Sequence, residues 1–225
     1  MFPDRVVEVG VGLEGRGVLR VSVVVPAFNE EDTIVSVVEE CSRYVDEVVV
    51  VDDGSWDNTG RLASEAGARV VRQERNLGVL KAFQRGVREA RGDIIVTLDA
   101  DGQHFPSDVP RLLAPVLSDE ADMVLGVRRD LPHFSERVLT KLTSLRVRCS
   151  DVSTGFRAVR RGLAEKMRLR GTCLCGILQL EAYRLGGRIM EVSIEVKERK
   201  KGQKRRLRTR HIRQLFYVLF KLVSL

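Results

Sequence analysis

Apolar, β-branched runs alternate with helically spaced segments through the first half of the chain. Val21–Val25 is an unbroken apolar run closed by Pro26, and Asp32–Tyr44 then carries Ile34, Val35, Val37, Val38 and Cys41 at helical spacing. Further strands are predicted at Glu47–Val51, Arg69–Arg72 and Asp93–Leu98, with helices at Asn58–Ala66 and Val79–Ala90 between them. Strands that are apolar on both faces and separated by helices imply an α/β fold, a mostly parallel sheet flanked by helices. In open sheets of this kind ligands lie outside the carboxyl ends of the strands, so those ends are where chemistry is to be sought.

The second half is less regular. A helix is expected at Val109–Leu117, a strand at Ala121–Val127, a basic amphipathic helix at Ser135–Leu145, a helix at Gly176–Leu185 and a strand at Arg188–Val196. In the tail, Arg205–Leu225, the residues Ile212, Leu215, Phe216, Leu219, Leu222 and Val223 recur at three and four positions, which predicts an amphipathic C-terminal helix. The glycine-rich lead-in holds Gly10-Val-Gly12-Leu-Glu-Gly15, a formal G-x-G-x-x-G. It runs into a strand instead of opening a helix, so no pyrophosphate would meet helical N–H groups there, and it is set aside. Met1–Arg20 lacks a secretory pattern, and no apolar run reaches the length a membrane-spanning helix needs.

Composition narrows the function classes. With 225 residues, 44% hydrophobic and 31% charged, the chain can bury a sizeable core as one domain with a small appendage. Cys41, Cys149, Cys173 and Cys175 are too few and too scattered for a disulfide framework and read as free thiols in a reducing compartment. Net charge is +7, yet Lys197–Arg213 alone carries +9, leaving the body at −2. One local basic segment on a slightly acidic body points to an anionic partner such as a phosphate or a lipid headgroup. Aromatic stacking residues are missing near those charges, which argues against a nucleic-acid-binding module.

Three strand ends carry polar clusters: Pro26-Ala-Phe-Asn-Glu30, Asp52-Asp-Gly-Ser55 and Asp99-Ala-Asp-Gly-Gln103. A single such end is explained by helix capping or by a turn at Asp53-Gly54. Five carboxylates gathered at one sheet edge (Glu30, Asp52, Asp53, Asp99, Asp101) instead call for a cation or for hydrogen-bond donors. Residues two apart in an extended segment point the same way, so Asp99 and Asp101, with the amide oxygen of Gln103, can face one hard divalent ion, Mg²⁺ or Mn²⁺, shared with a diphosphate. His104 nearby does not make a zinc site by itself.

Together with Ser153-Thr-Gly-Phe-Arg157 and Glu198-Arg199-x-x-Gly202, these motifs in this order resemble the family-2 glycosyltransferases, and within them the dolichol-phosphate mannosyltransferase branch, over about Val21 to Lys204. The resemblance implies a GT-A fold: a lead-in at 1–20, a catalytic domain at 21–204 with a Rossmann-like nucleotide-sugar half (about 21–105) and an acceptor half (about 106–204), then the basic helix at 205–225. It implies inverting, metal-dependent transfer from a GDP-mannose or UDP-glucose type of donor to dolichyl or polyprenyl phosphate. Pro26, Ala27, Asn29 and Glu30 match the base and ribose motif; Asp53, Gly54, Ser55 and Lys81 match further donor contacts. Asp99, Ala100, Asp101 and Gln103 match the metal and diphosphate motif, and Arg199 an arginine that closes on the diphosphate. Glu181 stands where the family has a pocket acid. Arg128, Arg137 and Ser153 are the expected ligands of the acceptor phosphate.

A phosphate acceptor is already ionised near neutral pH and needs no strong base, whereas a hydroxyl acceptor on a soluble saccharide or protein would make Glu181 the leading base. The expected location is cytoplasmic, at the inner face of the cell membrane, with the tail helix in the interface or packed back on the domain or on a second subunit. Oligomeric state is left open.

Overall fold

The computed structural model describes residues 19–129, 133–197 and 207–224, with side chains in the last segment from Arg213 onward. The Gly10–Gly15 match, Arg199 and most of the basic run therefore lie outside the described residues. The chain runs β1 (Val21–Ala27), α1 (Ile34–Cys41), β2 (Glu47–Asp52), α2 (Thr59–Glu65), β3 (Arg69–Arg72), α3 (Val79–Glu89), β4 (Ile94–Thr97), α4 (Val109–Leu117), β5 (Met123–Arg128), α5 (Phe134–Thr143), β6 (Arg157–Arg160), α6 (Arg161–Lys166), α7 (Ile177–Arg184), β7 (Ile189–Ile194) and α8 (Leu207–Val223).

These strands form one sheet in the order β3-β2-β1-β4-β6-β5-β7. All neighbours are parallel except β6, which is antiparallel to both β4 and β5. Alternate residues of the strands feed opposite faces. Val23, Val25, Val50 and Val96 pack with α1 and α4 through Ile34, Val38, Leu112 and Val116, whereas Val24, Val49, Val51 and Ile95 pack with α3 and α7 through Leu80, Phe83, Val87 and Leu178.

The chain turns from one side of β1 to the other between β2–β3 and β4, so the β1–β4 junction is the switch point at which such sheets open a crevice. The register sharpens it. The last β1–β4 pair is Val24↔Thr97, while β1 continues beside β2 as far as Ala27↔Asp52. Pro26, which has no N–H to donate, occupies the stretch where β4 has already left.

The antiparallel strand β6 is absent from the hydropathy pattern because Arg157, a charged residue, occupies a fully buried position in a four-residue strand. Helix α1 starts at Ile34, two residues later than its spacing suggests, since Thr33 turns its hydroxyl away to the Ala100 carbonyl at 2.7 Å.

A third apolar cluster, Leu139, Val147, Val152, Leu180 and Val218, joins α5, α7 and α8. Helix α8 is fastened there by polar contacts as well. Gln214, fully buried, accepts hydrogen bonds from the backbone N–H groups of Thr172 (3.0 Å) and Cys173 (3.2 Å) and donates to the Cys175 carbonyl (2.9 Å). Lys221 pairs with Glu181 on α7.

Candidate active site

The loops that leave β1 and β2 are sewn together. Asn29, in the left-handed region at φ 56°, receives the Trp56 N–H on its side-chain oxygen at 3.1 Å, and its own N–H donates to Ser55 Oγ at 3.0 Å. Asn is among the few residues that take up this conformation readily. The Glu30 N–H donates to Thr59 Oγ1 at 2.8 Å, and the Glu30 carbonyl starts α1 by accepting from Thr33 and Ile34.

Asp53 spends its carboxylate on the protein. Its Oδ1 accepts from Leu77 N–H (2.7 Å) and Gln73 Nε2 (2.6 Å), and its Oδ2 from Gly78 N–H (2.8 Å), so it shapes the loop that leads into α3 and Lys81. Gly54 allows that loop to come close: at φ 77° its α-carbon faces the Arg75 backbone, 2.7 Å from where a β-carbon would stand. Lys81 lies in the first turn of α3 on its exposed side.

Beyond β4, the Asp99 side chain is 48% exposed and its Oδ2 faces His104 Nε2 at 3.7 Å. Burial works against ionisation, but His104 beside it and the charges of Arg157 and Arg128 outweigh this and hold the Asp99 carboxyl below the usual carboxylate range. Asp101 Oδ1 accepts the Gln103 N–H at 3.1 Å, which curls the segment that follows Asp99. Gln103 donates its Nε2 to the Lys197 carbonyl at 3.3 Å, so its amide oxygen is the atom that could accept or ligate. A backbone bond from the Lys197 N–H to the Gln103 carbonyl and a His104–Val196 bridge tie this turn to the segment that follows β7.

Two carboxylates and an amide oxygen, partly open to solvent, suit a Mg²⁺ or Mn²⁺ ion that keeps substrate oxygens among its ligands. Among the described residues no group of three His, Cys, Asp or Glu converges on one point.

Next to the Asp99–Gln103 turn lies a second charged cluster. Arg128, at the end of β5, grips Asp151 with Nε at 2.7 Å and Nη2 at 3.0 Å; Nη2 also donates to Ser153 Oγ at 2.7 Å and stands 3.5 Å from Glu136. Burial opposes ionisation of the fully buried Asp151, but the Arg128 hydrogen bond and charge override it and lower its pKa. Arg157 lies beneath, fully buried, with Nη2 3.5 Å from the Val152 carbonyl and no hydrogen bond at Nε; burial lowers its pKa.

The expected acceptor residues are thus treated unequally. Arg128 and Ser153 meet, whereas Arg137 is on the exposed side of α5 and it is its neighbour Glu136 that reaches Arg128. Glu181 is not brought to the strand ends: its fully buried carboxylate accepts from the Arg168 N–H (3.0 Å) and Arg184 Nη2 (2.9 Å) and faces Lys221, all at the α7–α8 junction. Burial pushes its pKa up, but Arg184 and Lys221 more than reverse this and leave it lowered, which makes it a weak base.

Three contributors went unnoticed in the sequence. Thr33 holds the Ala100 carbonyl, Asp151 orients Arg128, and Gly155 brings its backbone against Asp99. Only Gly155, inside the Ser153–Arg157 motif, carried a signal that could have been followed.

A mostly parallel sheet with paired aspartates at its switch point defines an α/β enzyme that handles a diphosphate with a divalent ion. The family model for glycosyl transferase family 2 matches residues 22–142, and the chain belongs to that family. It is a glycosyltransferase of GT-A fold. It is 34% identical to the UDP-N-acetylglucosamine–dolichyl-phosphate N-acetylglucosaminyltransferase of Methanococcus voltae, over 52% of this chain and 56% of that one. It is also 34% identical to an undecaprenyl-phosphate 4-deoxy-4-formamido-L-arabinose transferase of Pseudomonas fluorescens, over 65% of this chain and 48% of that one. The chain therefore spans about half the length of these two relatives. Among solved structures, the glucosyl-3-phosphoglycerate synthase of Mycobacterium tuberculosis with Mn²⁺, UDP-glucose and phosphoglyceric acid superposes with a TM-score of 0.76 at 28% identity, over 90% of this chain and 79% of that one.

Proposed function

We propose that this chain transfers a sugar from a nucleotide-sugar of the GDP-mannose or UDP-glucose type to the phosphate of a dolichyl or other polyprenyl lipid, with inversion at the anomeric carbon. The observation that carries this reading is that one short segment, Ser153–Arg157, touches both clusters. Its Ser153 bonds Arg128, and its Gly155 lies against Asp99. A cation that can receive a phosphate and carboxylates that can hold a donor diphosphate are thereby set side by side.

In the proposed reaction an acceptor phosphate oxygen attacks the anomeric carbon as the nucleoside diphosphate departs on the opposite side. Asp99, Asp101 and Gln103 would hold the divalent ion, which when bound supplies positive charge against that developing on the leaving diphosphate. Arg199 is assigned the same task from its motif, and Arg128 with Ser153 orients the acceptor. An ionised phosphate needs no base, which agrees with a Glu181 committed to Lys221 and Arg184.

Peripheral attachment to the inner face of the membrane is part of the same proposal. No helix among the described residues is long and apolar enough to cross a membrane. Helix α8 turns Gln214 and Val218 inward and leaves Phe216, Leu219, Phe220 and Val223 exposed, next to the basic run, as an interfacial helix would. Replacing Phe216 and Phe220 by Ser should abolish flotation with anionic vesicles; unchanged flotation would reject the attachment.

The deciding experiment supplies labelled GDP- and UDP-sugars, Mn²⁺ or Mg²⁺ and a polyprenyl phosphate, and counts label in the organic phase. Metal-dependent label there from one donor supports the proposal and names the donor. The phosphoglyceric acid held by the mycobacterial neighbour favours a second reading, a small soluble acceptor, and label retained on such an acceptor in the aqueous phase would replace the first.

A further inference from the structure

Trp56 is the single tryptophan of the chain, and it is 76% exposed although the loop that carries it is tightly fixed. The N–H of the preceding Ser55 donates to Asp52 Oδ1 at 2.8 Å, the Ser55 carbonyl accepts from Arg72 Nη2 at 2.9 Å, and the Trp56 N–H donates to Asn29 Oδ1 at 3.1 Å. Phe28 meets the indole edge to face, with centroids 5.0 Å apart and planes at 88°. Apart from its edge contact with Phe28, the indole is thus a large aromatic surface left in water, where the exposed area contributes little to the stability of the fold.

The residues that hold it are the ones the donor reading assigns to the nucleoside. Asn29 and Ser55 fix the backbone at Trp56, and Phe28 sits inside the Pro26–Glu30 motif. We infer that Trp56 is the stacking surface for the base of the nucleotide-sugar donor. This rests on the donor reading above and adds a residue to it. Any base offers a π face, so stacking supplies affinity whichever base the rest of the pocket selects.

The surroundings favour an uncharged ring over an anionic membrane as the occupant. Asp57 and Glu31 flank the loop, with Asp57 Oδ2 accepting the Glu31 N–H at 3.3 Å and Glu31 Oε2 accepting the Asn58 N–H at 3.1 Å. Even with Arg72 at the Ser55 carbonyl this rim is not the cationic patch that anionic headgroups require, whereas a purine or pyrimidine ring requires none.

A lone tryptophan makes the test direct. The protein is titrated with UDP and with GDP in the presence of Mg²⁺ while tryptophan emission and, in parallel, calorimetric heat are followed. The expected result is a saturable change in emission whose midpoint equals the calorimetric Kd for the bound nucleotide. Trp56→Phe should bind nearly as the parent does, and Trp56→Ala should bind about 5- to 150-fold more weakly at an unchanged melting temperature. With donor turnover the loss should fall on KM and leave kcat in place. Calorimetric binding with constant emission, or Trp56→Ala with the parental Kd, overturns the inference while the donor reading stands. Absence of any nucleotide heat overturns both. An emission shift with anionic vesicles but none with nucleotide assigns the indole to the membrane and overturns the inference.

Discussion

Gly155 lies so close to Asp99 that a β-carbon at residue 155 would stand 2.0 Å from Oδ2 and 2.5 Å from Oδ1. The contact is locked from the other side, since Thr97 Oγ1 donates to the Gly155 carbonyl at 2.7 Å. Gly155→Ala must therefore displace the carboxylate or the strand that carries it. Overpacking of this kind costs about 1–3 kcal/mol of stability. A shift of the metal turn by about 1 Å should lower turnover roughly 10²-fold. Gly162→Ala, where the added methyl meets nothing within 4 Å, is the control and should keep full activity. Thermal melts and initial rates on the two variants decide the matter.

Asp99→Ala should abolish metal-dependent transfer and weaken Mn²⁺ binding, followed by titration of the ion against the protein. Because His104, Arg157 and Arg128 keep the carboxyl ionised, Asp99→Asn, which retains shape and loses charge, should fail almost as completely. Metal-dependent transfer by either variant would remove Asp99 from the site.

The Arg128–Asp151 pair is buried, and removal of Asp151 leaves Arg128 with the longer 3.5 Å approach to Glu136 in place of two direct hydrogen bonds to a carboxylate. Asp151→Ala should cost about 3–5 kcal/mol, and Arg128→Met with Asp151→Leu together should cost much less than the sum of the two single changes. The folded-state pKa of Asp151 is depressed by Arg128. It therefore lies below the unfolded value of about 3.9. The stabilisation is accordingly complete above about pH 4 and is lost as pH falls through the folded-state value. Denaturant melts from pH 7 to pH 3 should show a shallower acid decline for Asp151→Asn than for the parent.

Helix α8 has two unlike faces. Val218 is fully buried against α5 and α7, and Val218→Ala should cost about 1–3 kcal/mol, whereas Phe220→Ala, on the outer face, should stay within about 0.5 kcal/mol. Equal effects in chemical denaturation would mean that α8 is not seated as described.

The α/β pattern was legible because β1, β2 and β4 are β-branched runs with buried faces, and the three strand-end motifs were legible because chemistry fixes residue types at fixed spacing. What hydropathy could not convey was β6, whose Arg157 is buried in a position that pattern reading reserves for apolar residues. Glu181 was expected at the pocket, and the reason it is elsewhere is tertiary: Lys221, forty residues further on, comes to lie against it when α8 docks. Arg137 illustrates the limit of helical phase. One position along α5 separates a residue in the Arg128 cluster, Glu136, from one facing solvent.

The bridge between His104 and Val196 also sets a time order. Gln103 and its partner Lys197 are 94 residues apart in sequence. At about 5–20 residues per second, the metal turn therefore leaves the ribosome roughly 5–20 s before the strand end that pins it. Until Lys197 has been made, Gln103 lacks the backbone partner that holds it in the finished fold. The finished geometry of that turn is thus a property of the whole sheet, reached only once the segment after β7 is in place.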